Sequence, residues 1–259
     1  MKDLVFIVDI GNTAIAFAIF NGDELLATSK ILTHESELDD IKNAVEKLVL
    51  EANVDASSFK GGLISSVVPN ISRLVQIAVQ SVINFEIPIM DQSFNSLVKM
   101  YVDNSDEVGG DLLADVIGAT STYKSPILIV DLGTITKFLL IDETGTFIKT
   151  NFFPGIGLCR EMMSEKTSLL PKINESDRIP PFMGTNTIDA MEGGLYYGHV
   201  NMIEGYENKL KEEYKNITLV LTGGYGEVLQ KSLPNFIYDK DLTLKGILAL
   251  YRKGVKNGL

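Results

Sequence analysis

The feature that most constrains this chain is a strand–turn–strand unit that occurs twice. Leu4-Val5-Phe6-Ile7-Val8 runs apolar into Asp9-Ile10-Gly11-Asn12-Thr13, and the chain resumes as Ile15-Ala16-Phe17-Ala18-Ile19-Phe20. Half a chain later Pro126-Ile127-Leu128-Ile129-Val130 runs into Asp131-Leu132-Gly133-Thr134 and resumes as Ile135 to Ile141. Both units continue through a further turn, Asn21-Gly22-Asp23 and Asp142-Glu143-Thr144-Gly145, into a third strand at 24–28 and 146–148. Turn residues between apolar runs predict antiparallel meanders. Largely unbroken apolar strands are buried on both faces, so helices must cover them and the fold class is α/β.

The segments between the repeats supply those helices. Leu38, Ile41, Val45, Leu48 and Val49 recur at helical spacing, with Ser36 and Asp39 as a capping box. Gly62 to Val68 reads as a buried strand closed by Pro69, Ile71 to Val82 as a helix, and Ile87-Pro88-Ile89-Met90 as a short strand. A helix follows from Leu112 to about Tyr123; the second meander is followed by helical segments around 157–169 and 186–213 and a strand, Ile217 to Leu221. Each half therefore reads as βββαβαβ-type, with the boundary near residue 115: 1–115 and 116–259.

An Asp followed by a glycine turn suits phosphate chemistry. The glycine removes the Cβ that keeps an anion from the backbone amides, and the carboxylate can hold Mg²⁺. Asn12, Thr13 and Thr134 add short polar donors. Two such turns facing one another across a cleft would grip a triphosphate from both sides. A third glycine turn, Thr222-Gly223-Gly224 after a strand, would let an adenosine lie against the backbone. Taken singly, each turn is equally an ordinary hairpin, and Asp111 a helix cap. No Gly-Lys dipeptide of a P-loop is present.

Charge narrows the partners. A formal net charge of −11 disfavours nucleic acid and anionic membrane surfaces, and no basic patch offsets it. Apolar residues at 45% and charged residues at 22% are those of a folded globular chain. The single cysteine, Cys159, and two distant histidines, His34 and His199, argue against a disulfide framework or a zinc site. With no signal-peptide pattern ahead of Leu4 and no membrane-length apolar run, a cytoplasmic location is expected.

These residues resemble the actin-like ATPase and kinase superfamily, and within it the type III pantothenate kinases. The likeness is carried by Asp9-Ile10-Gly11-Asn12-Thr13, Ser65-Ser66-Val67-Val68-Pro69, Asn104 with Glu107-Val108-Gly109-Gly110-Asp111, and Asp131-Leu132-Gly133-Thr134. Pro154-Gly155, Thr167 with Leu170-Pro171, Asn186-Thr187 and Leu221-Thr222-Gly223-Gly224 extend it over nearly the whole chain. The resemblance implies a duplicated actin-like (ribonuclease H-like) fold around an ATP cleft. It implies phosphorylation of pantothenate, the first step of coenzyme A biosynthesis, with Mg²⁺, a monovalent cation (K⁺ or NH₄⁺) and a homodimer. Asp111 falls on the general base, and Asp9 on the Mg²⁺ and phosphate residue. Gly11, Asn12, Thr13, Thr134, Gly223 and Gly224 fall on ATP-binding positions, and Asp131 on the monovalent-cation ligand. Tyr101, Gly109, Gly110 and Thr187 fall on substrate positions.

Four departures stand out. The arginine that follows the family's base is Leu112, its Asn-Pro is Asn104-Ser105, and its second phosphate turn continues as Ile135-Thr136-Lys137-Phe138-Leu139. A glycine pair ahead of Pro154 is Lys149-Thr150. Lys137 is placed to reach a phosphate or to stand in for the monovalent cation. A catalytically degenerate nucleotide-binding relative, or a kinase for another small alcohol, are the alternatives these departures leave.

Overall fold

The computed structural model describes residues 3–34 and 36–258. The first meander is β1 (Leu4–Ile10), β2 (Ala14–Asn21) and β3 (Glu24–Leu32), followed by helix α1 (Leu38–Glu51), β4 (Phe59–Ser66) and α2 (Pro69–Ile83). Strand β4 lies parallel beside β1, giving the sheet order β3-β2-β1-β4. The β-branched and aromatic residues of β1 and β2 fill the core below α1 and α2, where Phe6, Phe17, Ile41, Val45, Val75 and Val79 are all fully buried.

Helix α3 (Gly110–Thr122) precedes the second meander, β5 (Ile127–Leu132), β6 (Ile135–Ile141) and β7 (Phe147–Pro154). Then come α4 (Ile156–Glu165), the long α5 (Thr187–Glu213), β8 (Thr218–Thr222), the short α6 (Gly226–Leu229), β9 (Ile237–Tyr238) and α7 (Leu242–Asn257). The second sheet runs β7-β6-β5-β8-β9, with β8 parallel to β5. Its core gathers Leu128, Val130, Phe138, Leu195, Ile203 and Leu221. The repeated βββ meander, with its parallel fourth strand, is thus present in both sheets.

Contacts divide the chain into two compact units. One comprises residues 1–99, 103–121 and 242–259, the other 100–102 and 122–241. The repeat boundary near 115 therefore falls inside α3, and α7 returns to the first unit after the second repeat is complete. Small residues make that return possible. A Cβ at Gly246 of α7 would lie 1.8 Å from the Ala114 carbonyl oxygen of α3, so only glycine allows the two helices to come this close. Thr243 then donates to the buried Asp115 carboxylate at 2.6 Å, fixing the crossing.

Two local expectations are corrected. The start of α1 is capped one residue later than the pattern suggests. Glu37 is its N-cap and donates its backbone N–H to Asp40 Oδ2 at 3.0 Å, while Ser36 turns back onto the Leu32 carbonyl. The strand expected at 87–90 is reduced to a single bridge, Ile64 to Ile89. Pro88 has no N–H to continue a ladder, though its carbonyl accepts from Ile64 at 2.9 Å.

Candidate active site

In the first unit the candidate residues gather at the carboxyl end of the sheet, where open α/β folds bind ligands. Asp9 is the penultimate residue of β1, followed by the tight turn at 11–13, whose Gly11 N–H donates to the Ala14 carbonyl at 3.0 Å. The turn is anchored from outside itself. Thr33, just past β3, donates its hydroxyl to the Gly11 carbonyl at 2.7 Å and its N–H to the Thr13 carbonyl at 3.0 Å. Asn12 and Thr13 face solvent at the tip. Thr33 is a positioning residue that motif reading missed; its only signal was a polar side chain directly after an otherwise alternating strand.

The neighbouring strand leads to Asp111. Ser65 of β4 lies opposite Asp9 in parallel register, and its hydroxyl is buried with no hydrogen-bond partner. Gly110, the first residue of α3, lies against Ser65 and Met90; a Cβ there would come within 2.3 Å of the Met90 methyl and 3.0 Å of Ser65 Oγ. That packing sets Asp111 in the first turn of α3 beside the end of β4. Its Oδ1 accepts the Leu112 N–H at 2.9 Å, where the positive end of the helix dipole favours a carboxylate. Asp111 is therefore a first-turn residue rather than the cap. Leu112, in the place of the family arginine, is buried at 9% exposure. The loop before α3 is shaped by Asn104, whose side chain caps the short turn 105–107 and also reaches Glu107.

The second unit repeats the arrangement with one change. Asp131 is the penultimate residue of β5, beside the Gly133–Thr134 turn, and Thr134 is exposed at the tip of that turn. The Thr134 carbonyl accepts the Gly155 N–H at 2.9 Å, tying the turn to the junction of β7 and α4. Thr222 of β8 lies opposite Asp131, as Ser65 does opposite Asp9. The change is on the other side. The cross-strand partner is Ala16 for Asp9 but Lys137 for Asp131, and Lys137 Nζ lies 2.6 Å from Asp131 Oδ2 with both side chains largely enclosed.

Gly223 and Gly224 differ in kind. Gly223 has φ +83°, and a Cβ there would meet Asp131 Oδ1 and the Leu132 backbone at 2.6 Å. Gly224 is exposed and a Cβ there would meet nothing within 4 Å. Tyr225 follows, with the Arg160 guanidinium 5.7 Å above its ring. Burial, and then a hydrogen bond with Glu175, push its phenol up to about 12, so it stays neutral near pH 7. Tyr101 and Thr187 are not part of the first unit that holds Asp9 and Asp111. Both belong to the second unit, Tyr101 donating its N–H to the Phe147 carbonyl at 2.8 Å and Thr187 opening α5 behind its cap, Asn186.

Residues 5–209 match the family described as type III pantothenate kinase. A type III pantothenate kinase of Agathobacter rectalis is 32% identical over 260 positions, which take in 99% of this chain and 100% of the relative. Among solved structures, a Baf-family protein from Campylobacter jejuni matches with a TM-score of 0.63 at 16% identity, covering 97% of this chain and 99% of that one. The activator of the 2-hydroxyisocaproyl-CoA dehydratase from Clostridium difficile, solved with bound ADPNP, gives 0.55 at 15% identity, with 99% and 98% covered. At those identities the structural matches speak for the fold alone, and the fold is the duplicated actin-like α/β fold that the sequence leads one to expect.

Proposed function

The chain belongs to the type III pantothenate kinase family, and we propose on that premise that Asp111 is the general base of its reaction and that the two Asp-x-Gly turns hold the ATP phosphates. The reaction is the ATP-dependent phosphorylation of pantothenate that opens coenzyme A biosynthesis. The observation that carries the assignment is the matched construction of the two sheets. In each, an Asp is the penultimate residue of the first strand, a glycine turn follows it, and a hydroxyl residue stands opposite on the parallel strand.

Transfer to a primary alcohol needs little covalent help from the protein. The pantothenate hydroxyl oxygen forms the new O–P bond as the bond to ADP breaks, and its proton passes to the Asp111 carboxylate. A Cβ at Gly109 would come within 2.7 Å of Asp111 Oδ1, so the bare glycine leaves that carboxylate open to the acceptor, while Gly110, packed against Met90 and Ser65, is assigned to the substrate through its backbone. Backbone N–H groups of Asn12, Thr13 and Thr134, with the Asn12 side chain, orient the phosphates, and Gly11, its own N–H held by the Ala14 carbonyl, keeps the turn tight and bare beside them. Gly223 and Gly224 present bare backbone to the nucleoside, and Tyr101 and Thr187 are assigned to the substrate.

Mg²⁺ fits the donors present. Among the described residues no group of three or more His, Cys, Asp or Glu could hold a metal ion. That suits a cation bound by one carboxylate together with phosphate oxygens and water, and Asp9 would supply the carboxylate. When bound, Mg²⁺ neutralises charge that develops on the transferred phosphoryl group.

A homodimer is supported by the apolar surface of the second unit. Phe152, Phe182, Met183 and Leu169 are 61%, 65%, 77% and 92% exposed. The segment between α4 and α5 that bears the last three has little secondary structure of its own; Arg178 holds it to Asp189 and Glu192 of α5. No helix among the described residues is long and apolar enough to cross a membrane, and a cytoplasmic location fits a chain with one cysteine.

The test is ADP release with ATP, Mg²⁺ and pantothenate. Asp111→Asn is expected to lower kcat by about 10²–10⁴ while ATP still raises the thermal midpoint. Retention of wild-type kcat in the variant would remove Asp111 from the base role. A wild type that ATP stabilises but that releases no ADP with pantothenate would replace the kinase reading with that of a nucleotide-binding relative.

A further inference from the structure

The resemblance implies a K⁺ or NH₄⁺ ion at Asp131, and the residues around that carboxylate do not fit one. Asp131 is 8% exposed. The turns at Gly133 and Gly223 run close beside its Oδ1: a Cβ at either glycine would lie 3.7 or 2.6 Å from that oxygen. Lys137 stands directly across from it in antiparallel register, its ammonium 2.6 Å from Oδ2, and the two side chains are 14% and 11% exposed. An enclosed carboxylate requires a cation, and here the chain supplies it. A second cation beside the ammonium would meet like-charge repulsion at close range in a poorly solvated place. The first sheet makes the contrast: the residue opposite Asp9 is Ala16, which brings no charge.

We propose that the Lys137 ammonium is a built-in monovalent cation, covalently part of β6, so that phosphoryl transfer by this protein is independent of K⁺ and NH₄⁺. The group carries the same unit charge and holds it at the root of the Gly133–Thr134 turn. It reaches Asp131 from the facing strand, so its position is set by sheet register instead of by ion concentration. The consequence for activity rests on the kinase reading above; the consequence for binding at Asp131 does not.

The experiment uses purified full-length protein with choline chloride replacing KCl at constant ionic strength. Wild-type ADP release is expected to agree within about two-fold between the salts. Lys137→Met is expected to lose at least about ten-fold in choline and to recover, saturably, with KCl or NH₄Cl. A readout without turnover is thermal unfolding in the absence of nucleotide: K⁺ raises the midpoint of Lys137→Met above its value in choline and leaves the wild type unmoved. Wild-type activity that collapses in choline and saturates with K⁺ would overturn the proposal, as would a folded Lys137→Met that answers both salts alike. Should the wild type turn over no pantothenate in any salt, the kinase reading fails on its own, and the unfolding arm still decides the role of Lys137.

Discussion

Gly223 and Gly224 are adjacent, both glycine and both within the third turn, yet they should respond to the same methyl group in opposite ways. Gly223→Ala places a Cβ on a backbone at φ +83°, which costs an L-residue about 1–2 kcal/mol. The Cβ also arrives 2.6 Å from Leu132 backbone atoms and from Asp131 Oδ1. The backbone of a central strand has little room to yield, so overpacking adds about 1–3 kcal/mol. A loss of roughly 2–5 kcal/mol is a large share of a stability of about 5–15 kcal/mol, and for a chain of this size it lowers the unfolding midpoint by on the order of 10 °C. Gly224→Ala meets no neighbour within 4 Å and should change stability by less than about 0.5 kcal/mol. Its effect belongs to ATP. If the proposed nucleoside site runs along this bare backbone, a methyl group there should raise KM for ATP about ten-fold, roughly 1.4 kcal/mol, with little change in thermal midpoint. Differential scanning fluorimetry and ATP-dependent initial rates on both variants separate the two roles. If Gly223→Ala unfolds with the wild type, or Gly224→Ala destabilises as much as Gly223→Ala, the steric account of this turn is wrong.

Two further outcomes follow from burial. Leu112→Arg restores the family side chain at a position only 9% exposed and should cost about 2–4 kcal/mol in urea unfolding, since a guanidinium there must be desolvated or drag its helix outward; unchanged stability with a lower KM for pantothenate would show instead that residue 112 faces the substrate. Sedimentation velocity at micromolar concentration should give a single species of twice the 28.4 kDa chain, and Phe182→Asp with Met183→Asp should shift it to the monomer; a wild-type monomer would leave the exposed apolar surface of the second unit to another use.

Much of this protein was legible in its residues because the informative interactions are local. The apolar runs at 4–8 and 127–130 became β1 and β5, and the Asp-x-Gly turns that end them are the turns of the structure. The periodicity of Ile41, Val45, Leu48 and Val49 became the buried face of α1. The helix expected from Leu112 is α3, with Asp111 in its first turn. Errors came where one side chain competes with another for the same backbone. Glu37 took the cap that Ser36 was expected to hold, and Pro88 reduced a strand to one bridge.

The order of amino acids by itself determined the repeat, its two Asp-x-Gly turns and the family, since each is written in consecutive residues whose backbone preferences need no distant partner. Tertiary structure alone decided which residues meet across long separations. Thr33 anchors a turn twenty-two positions away, and α7 comes back to α3 over 128 positions because Gly246 lets it; even six positions apart, Lys137 meets Asp131 only because the β5–β6 register puts them opposite. An ion pair of that kind depends on a distance and on exclusion of water, and neither exists until the strands have paired.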